Sequence, residues 1–180
     1  MAPLLGENTE EILGECGYAP GAIRKLIDRW GLREPILDLA ATGAPFLGTC
    51  AGMIVLSREI AGGDAPVLPL LDVTVARNAF GRQLDSFEAD LAVPVLGDQP
   101  VHAIFIRAPV IERTGPGVDI LAQLADGRVV AVRQRNVIAT SFHPELTNDD
   151  RVHGLFLAMV RDLVGNRTGA SDSAAVRSAR

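Results

Sequence analysis

The sequence predicts a layered α/β domain, and three observations lead to that class. Apolar residues Ile23, Leu26, Ile27 and Trp30 recur at helical spacing early in the chain, so one helix lies near the front. Val152, Leu155, Phe156, Met159, Val160 and Leu163 do the same near the end. Between them the apolar residues fall in short runs or alternate with polar ones, the period of strands. The length of 180 residues and a hydrophobic content of 48% allow one domain with a sizeable core.

In chain order, residues 1–19 read as one short helix with loose flanks. Asn8 suits its cap, with Glu11 three positions on as in a capping box, and Gly17 falls where a helix would stop. The helix over Ile23 to Trp30 is interrupted by Gly31, and a second helical stretch runs to about Ala41. Thr42-Gly43-Ala44-Pro45 is a turn into a short buried strand, Phe46 to Thr49. A helical pattern follows Cys50, from Met53 to Ile60, and Gly62-Gly63 ends it.

The middle of the chain reads as strands. Val73 and Val75 alternate with smaller or polar neighbours, as do Phe87, Ala89, Leu91 and Val93. Ala103 to Ile106, Val129 to Val132 and Val137 to Ser141 are further apolar runs, and Asp126-Gly127 marks a hairpin before Val129. Beyond Gly165 the apolar content disappears, so residues 166–180 read as a disordered tail.

Composition excludes several classes of function. A net charge of −5 argues against a nucleic-acid or anionic-membrane surface, because like charge repels. No apolar run reaches the roughly 18 to 20 residues that cross a bilayer. No basic flank followed by an apolar stretch marks a signal peptide at the start. Two cysteines make no disulfide framework, which fits a reduced cytoplasm, and without paired spacing they and three histidines suggest no structural zinc.

Gly48-Thr49-Cys50-Ala51-Gly52, set between a buried strand and a helix, is the cysteine form of the G-x-S-x-G nucleophile elbow. Such a turn is strained and needs small flanking residues, and glycine stands on both sides. The helix that follows directs positive potential at the sulfur, which favours a thiolate. The other reading of Cys50 is a small buried hydrophobe at a strand end.

Ser141-Phe142-His143-Pro144-Glu145 directly follows a strand. A cysteine nucleophile needs a base, and the base needs an acceptor to orient it. His143 and Glu145 supply both on a loop stiffened by Pro144. Alone, the segment also reads as a loop histidine beside a carboxylate; joined to the elbow, it reads as catalytic. His102, before a strand, and His153, on the last helix, read as structural or solvent-facing, and Cys16 is given no role. Arg77 to Gln83, followed by Asp85 to Glu88, could bind a carboxylate through its two arginines, or be a solvated loop between strands. Ile106 and Arg107 end another strand and add a cation near that region.

From about Ala22 to Gly165 the chain resembles the glutaminase subunit of pyridoxal 5′-phosphate synthase, a class I (triad) glutamine amidotransferase. The stretches that carry the resemblance are AIRKLIDRWGLREPI, FLGTCAGMIVLSREIAG, ARNAFGRQLDSFEADL, FIRAPVIE and ATSFHPELTNDDRVHGLF. GTCAG and FHPE are shared across class I amidotransferases, whereas RNAFGRQ, DSFEADL and FIRAP are narrower and specify this branch. The resemblance implies a flavodoxin-like layered sheet, with Cys50 as nucleophile, His143 as general base and Glu145 as the residue that orients it. It also implies that Arg77, Ile106 and Arg107 contact glutamine. The implied reaction turns L-glutamine and water into glutamate and ammonia through a γ-glutamyl thioester. The ammonia passes to a (β/α)₈-barrel synthase partner that makes pyridoxal 5′-phosphate from a pentose phosphate and a triose phosphate. No metal or organic cofactor is implied for this subunit.

One departure accompanies the match. Members of the family begin with a strand, a helix and a second strand that ends in a Pro-Gly-Gly-Glu-Ser turn. Here Pro20-Gly21 is the only trace of that turn, so the sheet is expected to lack its N-terminal strands. Residues 1–19 instead resemble the C-terminal tail of family III CoA-transferases, and residues 1–21 are set apart as an atypical segment. The Ala51 N–H would be one oxyanion donor and the lost turn the other. One missing donor costs about 10² to 10³ in rate. The expectation is therefore little glutaminase activity from this chain alone, the alternative role being a catalytically impaired remnant that only binds the synthase.

Overall fold

The computed structural model describes residues 29–77 and 86–177, without the side chains of residues 166–177. The capping box at Asn8, Cys16, the front of the first helix at Ile23 to Ile27, and residues 78–85 of the arginine-containing loop lie outside the described residues. Trp30 is described and is 72% exposed. Gly31 adopts a positive φ of 62° in the turn before Arg33, at the position where the sequence marks an interruption.

Helix α1 covers Arg33–Ala41 and leads to strand β1, Phe46–Thr49. Helix α2, Ala51–Leu56, begins directly after Cys50. The sequence pattern carries this helix to Ile60, but the structure ends it at Leu56 and makes Ser57–Ile60 strand β2. The β-branched pair Ile54 and Val55 weakens the helix, and the Ser57 hydroxyl donates to the Ile54 carbonyl at 2.8 Å, closing its last turn.

Strand β3 is Leu71–Ala76, β4 is Ser86–Leu91 and β5 is Val101–Ile106. Strand β6 is Val110–Thr114 and β7 is Asp119–Gln123. Strand β8 is Val129–Gln134 and β9 is Val137–Thr140. Neither β6 nor β7 stands out in the sequence, because VIERT and DILAQ lack clean alternation; their neighbours in the sheet recruit them. The turn at Asp126-Gly127 does form the expected hairpin. Gly127 takes φ 86°, Leu124 N–H donates to the Arg128 carbonyl at 2.9 Å, and β7 pairs antiparallel with β8.

The main sheet runs in the order β1-β9-β8-β6-β3-β2, with β7 also on β8, and β4-β5 form a separate two-stranded sheet. Pairing is mixed: β1 with β9 and β2 with β3 are parallel, and the other contacts are antiparallel. Two apolar clusters fill the interior. One joins Met53 and Leu56 of α2 to Val73 and Val75 of β3, with Ile36 and Leu37 of α1 laid against it. The other joins Phe105, Phe142, Leu91 and Val130 to Val152 of the last helix. That helix, α3, is Arg151–Arg177. It continues past Gly165, where the apolar pattern stops; Ala170, Ala174 and Ala175 have high helix propensity.

Candidate active site

Parallel pairing decides where the chemistry-bearing residues meet. Thr49 lies opposite Thr140, so β1 and β9 end together at one edge of the sheet. Cys50 leaves one strand and His143 follows the other, and residues far apart in sequence arrive at the same place. The Cys50 N–H donates to the Thr140 carbonyl at 2.7 Å, which fastens the two strand ends.

Cys50 takes φ 47° and ψ −106°, a conformation that costs a side-chain-bearing residue energy. Gly48 makes the turn possible. A Cβ there would stand 2.6 Å from Leu56 Cδ1 and 2.8 Å from the Gly52 carbonyl carbon. The second flanking glycine differs: a Cβ on Gly52 would meet nothing within 4 Å. The elbow requires one glycine for space, at position 48.

The Cys50 sulfur lies 3.7 Å from the Ile106 carbonyl oxygen, at the end of β5. His143 is held from the same strand, its N–H donating to the Ile104 carbonyl at 2.9 Å. Its Nδ1 is 2.7 Å from Glu145 Oε1, so the imidazole is bound on that side by a carboxylate. The pKa of His143 is pushed up to about 10, first by hydrogen bonding with Cys50 and then with Glu145, against burial that lowers it. Burial acts on Glu145 in the direction of a raised pKa, yet its hydrogen bond to His143 and a backbone hydrogen bond bring the net value below the ordinary carboxylate range. Sulfur, imidazole and carboxylate thus gather at the strand ends, with Cys50 and His143 partly buried and Glu145 more exposed.

The SNO glutamine amidotransferase family matches this chain over residues 12–162. The chain belongs to that family. The match starts ahead of Ala22, where the resemblance read from the sequence begins. Among relatives, the pyridoxal 5′-phosphate synthase subunit PdxT of Herpetosiphon aurantiacus is 58% identical over 140 residues, 76% of this chain and 74% of the relative. The subunit of the same name from Moorella thermoacetica is 55% identical over 138 residues, 77% and 73% of the two chains. That of Desulforudis audaxviator is 49% identical over 154 residues, 82% and 81%. A crystal structure of a glutamine amidotransferase superposes with a TM-score of 0.71 at 48% identity, covering 76% of this chain and 72% of that one. The mixed, layered α/β architecture is that of class I amidotransferases.

Of the other residues that the sequence singles out in this SNO-family chain, Ile106 borders the sulfur, whereas Arg77 and His102 are paired with carboxylates of their own. Arg77 follows β3 and pairs with Asp64 at 2.6 Å. Its chain continues through residues 78–85 into β4, whose first residue, Ser86, lies opposite Ile106 in the register. Arg107 follows Ile106 with φ 44°, an unusual value for a residue with a side chain. His102 is not solitary: Nδ1 lies 2.9 Å from Asp90 Oδ1 and Nε2 3.0 Å from Glu88 Oε2 on the exposed face of β4-β5. His153 stands in the first turn of α3. Among the described residues no group of three or more His, Cys, Asp or Glu could hold a metal ion, and no helix is long and apolar enough to cross a membrane.

Ile106 is singled out in the sequence, but that its main-chain carbonyl rather than its side chain lies beside the sulfur is not. One further contributor escaped the sequence reading. Thr140, 2% exposed, offers its carbonyl to Cys50 and its hydroxyl to Phe142; a polar residue closing an otherwise apolar strand was its only signal.

Proposed function

We propose that this chain hydrolyses L-glutamine to glutamate and ammonia as the glutaminase subunit of a pyridoxal 5′-phosphate synthase. Cys50 is the nucleophile, His143 its base and Glu145 the group that orients the imidazole. The supporting observation is the arrival of Cys50 and His143 at the paired ends of β1 and β9, with Glu145 2.7 Å from the imidazole Nδ1.

An imidazole with raised proton affinity takes the thiol proton and leaves a thiolate. The thiolate attacks the carboxamide carbon of glutamine, and the Ala51 N–H donates to the oxyanion that forms. The imidazolium returns its proton to the leaving nitrogen, the C–N bond breaks, and ammonia departs from a γ-glutamyl thioester. Water, deprotonated by His143, attacks the thioester; glutamate leaves and the thiol is restored. Glu145 accepts from Nδ1 throughout, fixing the tautomer that aims the other ring nitrogen at sulfur. Arg77, already paired with a carboxylate in Asp64, exchanges it for the α-carboxylate of glutamine, and Ile106 and Arg107 line the substrate beside the sulfur. The reaction needs no cofactor, and its ammonia passes to a (β/α)₈-barrel partner.

Ammonia release from glutamine is measured with and without the barrel synthase, for the natural chain and for Cys50→Ala. Release that depends on Cys50 in at least one setting is the expected result. Co-purification with the synthase but no Cys50-dependent ammonia in either setting would reduce the chain to a binding subunit and overturn the glutaminase assignment.

A further inference from the structure

Between the nucleophile and its base lies a buried pair of hydroxyls that the chemistry above does not use. Thr140, the last residue of β9, is bonded in both directions. Its carbonyl accepts the Cys50 N–H at 2.7 Å, and its hydroxyl donates to the Phe142 carbonyl at 2.9 Å, on the residue immediately before His143. Ser141, 0% exposed, donates from its own hydroxyl to the Met53 sulfur at 3.6 Å. Met53 is itself buried in the first turn of α2, and its N–H donates to the Cys50 carbonyl at 3.0 Å.

Two short routes therefore run from the backbone of Cys50 to the loop that carries His143. One passes through Thr140 alone; the other passes through Met53 and Ser141. A buried hydroxyl is costly to leave unbonded, so residues at such positions need partners, and here the partners span the two halves of the site. Neither hydroxyl touches the reacting sulfur or the imidazole.

We propose that Thr140 is a positioning residue, with Ser141 in support, which fixes the His143 ring against the Cys50 sulfur. The inference rests on the Cys-His-Glu reading of the site. Without the Thr140 bond the Phe142 carbonyl loses its partner, the turn into His143 relaxes, and the imidazole no longer meets the sulfur squarely. An error of about 1 Å at such a contact is enough to cost up to two orders of magnitude in rate.

Thr140→Val keeps the shape of the side chain and removes the donor; Thr140→Ser keeps the donor. The rate of iodoacetamide alkylation at Cys50 is followed against pH by peptide mass spectrometry, a readout that needs no substrate and is separate from Cys16. A folded Thr140→Val is expected to alkylate roughly tenfold more slowly near pH 6, with its profile displaced to higher pH, while Thr140→Ser reproduces the natural profile. Loss of general stability alone would not displace the profile. An unchanged profile in folded Thr140→Val overturns the proposal. Should that variant not fold, Ser141→Ala decides in the same way, an unchanged profile again counting against it. His143→Asn serves as reference: if it too leaves the profile unmoved, the triad reading fails, and if it alone moves the profile, only the positioning role fails.

Discussion

At Gly48 the space around a single hydrogen decides whether the elbow can form. An added Cβ would lie 2.6 Å from the end of the Leu56 side chain, which can rotate away, but also 2.8 Å from the Gly52 backbone, which cannot. Gly48→Ala is therefore expected to cost about 1–3 kcal/mol, as for other overpacked sites. Gly52→Ala, which meets nothing within 4 Å, is expected to stay within about 0.5 kcal/mol of the natural chain. Paired thermal melts test the contrast, and equal losses at the two positions would show that close packing at 48 is not what selects glycine. The motif Gly-Thr-Cys-Ala-Gly was legible as an elbow, yet the unequal demands on its two glycines were not, because they depend on how α2 folds back over β1. Arg77 shows the same limit. Its charge was legible, but its pairing with Asp64 was not, since nothing in the spacing of the two residues announces that contact.

The two-stranded sheet of β4 and β5 is expected to lose stability as pH rises. Asp90 and His102 face each other in the register, and both ring nitrogens of His102 reach carboxylates. An imidazole can donate from both nitrogens only when protonated. Hydrogen bonding to Asp90, and next to Glu88, accordingly raises its pKa. A group with a raised folded pKa contributes fully below its unfolded value of about 6.5 and loses that contribution as pH climbs through the folded value. The amides of β4 and β5, corrected for intrinsic exchange, should then open more readily above that range than below it. His102→Gln should flatten this dependence. NMR titration of the His102 ring gives the folded pKa directly, and a value at or below that of a free imidazole would contradict the clamp. Periodicity made β4 and β5 legible as strands, but His102, read as preceding one of them, lies inside β5. Its clamp was not legible, because cross-strand partners depend on register, and register is fixed by the turn and the buried face. The same applies to β2, β6 and β7, whose residues become strands only because β3 and β8 offer them edges.

Across the whole molecule, the second apolar cluster is what connects stability to the site. Phe105 is 0% exposed; its ring stacks on Phe87 at 4.4 Å and meets Phe142 edge-on at 5.7 Å. Phe142 is the residue before His143, and β5 itself supplies the carbonyls of Ile104, to the His143 N–H, and of Ile106, to the Cys50 sulfur. One aromatic ring thus supports both the separate β4-β5 sheet and the loop carrying the base. Phe105→Ala leaves a cavity among residues already in close contact and is expected to cost about 3–5 kcal/mol. Against a usual domain stability of about 5–15 kcal/mol, that is a large share of the total. Phe105→Leu retains part of the volume and should lose less. In urea titrations the midpoint should fall with an unchanged slope, since the surface exposed on unfolding hardly alters. A loss for Phe105→Ala of less than about 1 kcal/mol, below the usual range for such truncations, would show that the cluster does not carry the β4-β5 sheet. The position of His143 would then have to depend on β9 alone, through the hydroxyls at its end.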